Sequence, residues 1–137
     1  MSNKLNSIFN DVIFLTIKFI IMFLQLSHTK LDVYKFSNQV TLECYQITKK
    51  FPSEEKFALV QQIRRAATSV HLNLAEGCSR KSATERRRFY EISRGSLLEI
   101  DAANGIACQL GYVTLDELKP LGESIIKTFK ILSGMIK

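Results

Sequence analysis

Eight basic side chains crowd into one stretch of the chain: Arg64, Arg65, Arg80, Lys81, Arg86, Arg87, Arg88 and Arg94. Between Gln61 and Gly95 only Glu76, Glu85 and Glu91 oppose them. The chemistry that such a set supports is anion binding, because a guanidinium grips phosphate through two parallel hydrogen bonds. Arg80 and Lys81 stand just before an expected helix N-terminus, whose free backbone donors also favour anions. Arg87 and Arg94 are seven residues apart and share a helix face. Arg86, Arg87 and Arg88 fan around more than half a turn, so they cannot all meet one flat partner. The set is a candidate surface for RNA or DNA, directed at the phosphate backbone rather than at base edges. No recognition-helix signature or RNA-binding aromatic motif specifies a sequence. A competing reading gives the same charges to structure. Arg64 and Arg65 would pair with Glu76, Glu91 or Glu99 across helices, and Arg88 locally with Glu85 and Glu91. The protein would then be a structural or protein–protein interaction module without nucleic-acid affinity of its own.

Enzyme chemistry has little to stand on. Cys44, Cys78 and Cys108 show no CxxC and no paired metal spacing, and no histidine lies near them in sequence. An odd number of unpaired thiols fits a reducing compartment. Glu76, Glu85, Glu91 and Glu99 come close to a carboxylate series, but a di-iron bundle needs Glu-x-x-His pairs that are missing here. His71 reads as a helix-surface or interface residue, and Tyr34, Tyr45, Tyr90 and Tyr112 read as packing residues. No catalytic residue, metal or cofactor is expected.

These residues must be positioned by helices. The chain has 137 residues, 2 prolines, 6 glycines and a formal charge of +6, which suits one mostly helical domain with a real core. Four amphipathic segments recur at the helical period. The first is expected at about 30–50, with Val33, Phe36, Val40, Cys44, Ile47 and Phe51 on one face, ended by Phe51-Pro52. The second is expected at 53–76, N-capped by Ser53, with Phe57, Val60, Ile63, Ala67, Val70 and Leu74 inward and Gly77 closing it in the left-handed conformation. Asn73 is expected to make a helix-end or interhelical hydrogen bond, and Glu76 to be solvated or paired with a nearby arginine. The third is expected at 82–110, opened by the Ser82/Glu85 capping box. Its stripe is Phe89, Ile92, Ser96, Ile100, Ala103, Ala107 and Leu110, widened by Leu97, and Gly95 and Gly105 are expected to pack closely against a neighbour. The fourth is expected at 114–136, opened by Thr114/Glu117, with Leu115 first in its apolar stripe. Pro120 is expected to kink or split it. Short links between the segments predict an all-α, antiparallel up-and-down four-helix bundle over 28–137.

Residues 1–27 are a separate element. Val12 to Leu26 reads VIFLTIKFIIMFLQL with Lys18 as its charge. A membrane segment over 8–26, a signal peptide and a start-site artefact with Met22 as initiator all remain open.

The stretch QIRRAATSVHLNLAEGCSRKSATERRRFYEISRGSLLEI resembles the 23S rRNA-intervening sequence protein family, small four-helix bundles. The likeness extends from about Leu31 to Ile136. It rests on Phe51-Pro52, Gln62 to Ala67, Ser69-Val70, Asn73, Ala75-Glu76-Gly77, Arg80, Phe89, Gly95-Ser96-Leu97, Glu99 and Leu110-Gly111-Tyr112. Asn73, Glu76, Gly77 and Gly95 are then structural family positions. The resemblance implies a cytoplasmic bacterial protein that forms a homo-oligomeric ring, commonly a pentamer, with no catalytic set. It also implies a likeness to the accessory protein of diversity-generating retroelements, a basic pentamer that engages nucleic acid and a reverse transcriptase. The N-terminal extension, His71-Leu72 and Pro120 depart from the family pattern, and a membrane-anchored alternative to the cytoplasm follows from the first of these.

Overall fold

The computed structural model describes residues 4–8, 23–24 and 26–137. The membrane, signal-peptide and start-site readings of the N-terminus fall mostly on 9–22, outside the described residues. Among the described residues no helix is long and apolar enough to cross a membrane. A 3-10 turn at Ser27–Lys30 leads into four helices: α1 Asp32–Thr48, α2 Leu59–Ser79, α3 Ala83–Gln109 and α4 Leu115–Ile136. No strand occurs among the described residues.

Each helix packs on its chain neighbours, and α4 closes the ring against α1. Cross-contacts give the directions. Ser37 on α1 meets His71 on α2, while Thr48 meets Arg64. Val70 meets Ser93 on α3, while Gln62 meets Glu99. Arg94 on α3 meets Ser133 on α4. Lys127 lies over Phe36, while Lys50 pairs with Glu117. Every adjacent pair is therefore antiparallel, and the fold is an up-and-down four-helix bundle.

The apolar stripes meet in the middle. Ile63, Leu74, Leu97, Ile100 and Leu132 are fully buried, and each stabilises the fold by roughly 1.5–3 kcal/mol relative to exposure. The α2–α3 contact is built from small residues. Ala66 and Ala67 are buried beside a polar seam in which Ser93 donates to the Val70 carbonyl at 2.6 Å and Ser96 donates to Ser69 Oγ at 2.8 Å. The seam fixes α2 against α3, because a buried hydroxyl left without its partner costs about 1–3 kcal/mol.

The helix ends follow local chemistry, with instructive departures. Thr114 and Glu117 make the complete reciprocal capping box, and Ser82 accepts from the Glu85 N–H. Gly111 takes φ +77° and closes α3. Ser53 does not start α2. Ser53–Glu55 is a separate 3-10 turn, and the Glu55 carboxylate accepts from the Leu59 N–H at 3.1 Å, so the helix proper begins there. Phe57 consequently lies outside the stripe and is 80% exposed.

Gly77 is no left-handed cap, since α2 runs through it to Ser79. Its missing side chain makes room instead: a Cβ there would sit 2.7 Å from Tyr90 Cε1 and 2.9 Å from Phe89 Cβ. Gly95 and Gly105 show the reverse, with open space where a neighbour was expected. In the α3 stripe Ser96, Leu97, Ile100, Ala103 and Ala107 are buried as expected, whereas Ile92 and Leu110 are exposed, and Tyr90, Ser93 and Asn104 are buried besides. Leu115 in α4 is exposed too. Pro120 neither splits nor ends α4, which is continuous from Leu115 to Ile136. Proline removes the bond to the carbonyl four residues back, and that residue, Asp116, lies on the exposed first turn where water can replace it.

Candidate nucleic-acid interface

The α2–α3 hairpin carries most of the basic residues, and the structure divides them by what they already hold. Arg80 leaves α2 with extended backbone. Its guanidinium pairs with Glu76 and lies over the Phe89 ring at 5.0 Å. Arg86 reaches back from α3 to the carbonyls of Arg80 and Lys81, at 3.0 and 2.6 Å. These two arginines staple the connection. Arg94 sits over Phe129 at 5.9 Å and reaches Ser133, tying α3 to α4. Arg64 lies over Tyr45, 4.7 Å from Cζ to the ring centre, donating from Nε to Thr48 at 2.9 Å and tying α2 to α1.

The remaining four are available. Arg65, Lys81, Arg87 and Arg88 are exposed. Arg87 has a weak 3.5 Å contact with the Lys137 carbonyl. Among the described residues there are three ion pairs, Lys35–Asp32, Lys50–Glu117 and Arg80–Glu76. Among the described residues only Arg80 of the eight candidates has a carboxylate partner. The pairings of Arg64 and Arg65 with Glu76, Glu91 or Glu99, and of Arg88 with Glu85 or Glu91, are not formed. The eight also do not make one surface. Arg65 lies fifteen residues before Arg80, about 22 Å along α2 at 1.5 Å per residue. It lines the polar seam with Gln62, Ser69 and Glu99. Lys81, Arg87 and Arg88 gather at the opposite end of the hairpin.

Of the four positions that carry the resemblance, Asn73, Glu76 and Gly77 make structural contacts, whereas Gly95 faces open space. Asn73 donates back to the Ser69 carbonyl and hydroxyl, at 2.9 and 3.0 Å, within its own helix, so the expected helix-end or interhelical bond is not made. Ser69 passes the connection to Ser96 on α3. Glu76 holds Arg80.

Sequence reasoning missed two groupings. The first joins Ser37 and His71, 2.7 Å apart. The Ser37 hydroxyl donates to the Tyr34 carbonyl at 2.9 Å, which leaves His71 Nδ1 as the donor between them. Ser37 is fully buried, so the pair is a tie between α1 and α2 and not an accessible nucleophile. The His71 ring packs on Tyr34 at 4.4 Å, and burial, aided by nearby His28, pushes its pKa down. The second grouping is a cleft beside Tyr45 and Phe57 at the Arg64–Arg65 end. Its signal in the sequence was Lys56-Phe57 standing seven to nine residues before Arg64-Arg65, two turns along one side of the helix path.

Other reactive groups are quiet. Burial pushes the Cys44 thiol up to about 12, far from the thiolate that nucleophilic chemistry needs. Burial, with a hydrogen bond to Cys78, likewise pushes Tyr90 up to about 12. No group of three or more His, Cys, Asp or Glu among the described residues could hold a metal ion.

The sequence matches the family described as 23S rRNA-intervening sequence protein over residues 29–134. Among solved structures, a crystal structure described as a protein with unknown function from the S23 ribosomal protein family of Bacteroides thetaiotaomicron superposes with a TM-score of 0.71. The two chains are 21% identical, and the alignment covers 77% of this chain and 98% of that one, which shows a shared fold. Nothing matches among curated proteins.

Proposed function

The chain belongs to the 23S rRNA-intervening sequence protein family, and from that premise we propose that it is a non-enzymatic adaptor that binds RNA or DNA through phosphate contacts. The observation that carries this reading is that Lys81, Arg87 and Arg88 have no carboxylate partner among the described residues. Three exposed cations on one helix end, with acidic residues near in sequence yet not engaged, form a surface ready for an external anion.

The same helix supports self-association. Gly95, Leu98, Ala102, Gly105 and Ile106 follow one another at spacings of one, three or four residues along the outward face of α3. Leu98 is 57% exposed and Ile106 is 50% exposed. Both glycines face open space, so another helix can approach their backbone closely. A second copy of the chain is the proposed occupant, in a homo-oligomer for which the family resemblance suggests five subunits. Arg88 lies near this face, one turn before Ile92. Assembly would therefore repeat the basic end once per subunit and add avidity. The proposed setting is the cytoplasm.

The test is a binding titration of the full chain with structured RNA and duplex DNA across stepped salt, beside a Lys81→Ala/Arg87→Ala/Arg88→Ala variant of matched sedimentation mass. The parent is expected to bind with steep salt dependence, and the variant to lose about two to three units of log–log salt slope at roughly 0.9 per phosphate contact. A folded, assembled parent that binds neither ligand at low salt refutes the reading and leaves a protein-interaction module.

A further inference from the structure

Between the C-terminal half of α1 and the first turns of α2 the bundle opens into a cleft of about 330 Å³. That is within the range of ligand-sized clefts. Two aromatic rings and three cations are among the residues that line it. The Arg64 guanidinium lies over the exposed Tyr45 ring, 4.7 Å from ring centre to Cζ, and is held there by the Arg64–Thr48 bond. Phe57, the ring that the early 3-10 turn leaves outside the core, also lines the cleft, with Lys56 Nζ 5.3 Å from its centre. Lys56, Arg64 and Arg65 all line the cleft, and no carboxylate does. The nearest acid on the preceding turn, Glu55, is already held by the Leu59 N–H and the Tyr112 hydroxyl. Lys56 and Arg65 have no ion-pair partner among the described residues. Gln61 adds an exposed amide at the rim.

We infer that this cleft is a stacking site for an unpaired nucleobase, whose own phosphate is held by Lys56 and Arg65. A flat aromatic wall offers its face to any base, and an all-cationic rim tracks the backbone, the two parts from which sequence-tolerant single-strand sites are made. A protein helix inserted here would have to bring its own acidic side chains to three cations, whereas a nucleotide carries the anion and the flat ring together. A base inside a duplex is stacked on both faces and cannot enter. The inference rests on the nucleic-acid reading above and narrows it to unpaired strands, at a place about 22 Å along α2 from the basic end of the hairpin.

The experiment measures full-chain affinity for a short oligo(dT), for a DNA duplex and for adenosine monophosphate, with Tyr45→Leu, Tyr45→Phe, Phe57→Ala and Phe57→Trp variants. The expected result is tighter binding of oligo(dT) than of duplex. Tyr45→Leu and Phe57→Ala should each weaken the single strand about tenfold and leave duplex affinity unchanged. Tyr45→Phe keeps the ring and should bind like the parent. The chain contains no tryptophan, so Phe57→Trp gives a lone reporter whose fluorescence should be quenched by oligo(dT) and not by duplex. Equal affinity for both nucleic acids, unmoved by the ring variants, overturns the cleft and leaves the Lys81–Arg88 surface standing. Mononucleotide binding as tight as the oligonucleotide overturns the single-strand assignment in favour of a free nucleotide. A fall in sedimentation mass for Phe57→Ala overturns it by making the ring a subunit contact. Failure of every ligand to bind removes the cleft and the broader reading together.

Discussion

Gly77 gives the sharpest test of how α2 and α3 are held together. A methyl at this position would lie 2.7 Å from Tyr90 Cε1, 2.9 Å from Phe89 Cβ and 3.0 Å from Tyr90 Cδ1. Phe89 Cβ cannot swing away, because it is fixed to the α3 backbone, and the Tyr90 ring is buried. Relief therefore requires α3 to shift, an overpacking that costs about 1–3 kcal/mol. Alanine also brings a gain, since a helical glycine costs about 1 kcal/mol against alanine. The two effects separate by comparison with Gly122, inside α4, where an added Cβ meets nothing within 4 Å. Gly122→Ala takes the propensity gain alone. Gly77→Ala, closer to a helix end, takes at most the same gain and all of the clash. The expected gap between the two variants is about 1–3 kcal/mol, with Gly77→Ala the less stable. Urea unfolding at fixed protein concentration reads it as a midpoint gap of about 1 M for each 1–3 kcal/mol. Equal midpoints at equal slope would refute the close α2–α3 approach at Gly77.

His71 should make the fold acid-sensitive. Its folded pKa is pushed below the ordinary value by burial and by His28, so below about pH 6.5 the unfolded chain binds the proton that the folded chain resists. The full stability is present above that pH and is lost as pH falls toward the folded pKa. His71→Gln keeps a donor near Ser37 and should flatten this limb in urea midpoints stepped from neutral to acidic pH; parallel profiles for parent and variant count against the buried histidine tie. Pro120→Ala restores the donor missing from α4 and relieves crowding in its second turn. It should raise stability by up to about 3 kcal/mol, and an unchanged unfolding midpoint would mean that α4 is already disengaged there.

What the sequence made legible is what is encoded locally. The Thr114/Glu117 box and the Ser82 cap are four-residue signatures, and both start helices where they should. The α2 stripe from Val60 to Leu74 is apolar at every inward position and reads without ambiguity. The α3 stripe reads only in part: Ser96, Leu97, Ile100, Ala103 and Ala107 are inward as expected, but Tyr90, Ser93 and Asn104 are buried as well while Ile92 and Leu110 lie outside. Polar residues at inward positions and apolar ones outside blur the edge of the face. Ser53 looked like a cap because its residue type fits, but the Glu55 carboxylate two residues on offered the Leu59 N–H a better partner and moved the start of α2. Gly77 was ambiguous in principle. A glycine near a helix end serves a left-handed turn or a close contact, and the deciding neighbour, Tyr90, is on another helix.

The arginines show the same limit in the candidate site, and it changes which residues a functional test should touch. Charge counting treats Arg80, Arg86, Arg87 and Arg88 alike. Arg86 is committed through backbone carbonyls of Arg80 and Lys81, acceptors that every residue carries and that no side-chain pattern reveals. Replacing Arg86 would loosen the connection between α2 and α3, since charged donors to carbonyls contribute about 1.5–3 kcal/mol, and replacing Arg80 would remove its contact with Phe89 of α3, so lost binding could then report lost structure. Arg94 and Arg64 carry the same ambiguity through Phe129 and Tyr45. Arg87 and Arg88 do not, because neither has a carboxylate partner among the described residues and both are exposed. Surface residues of this kind shift stability by no more than about 0.5 kcal/mol when replaced, so a change in salt-dependent affinity on removing them belongs to the ligand and not to the fold.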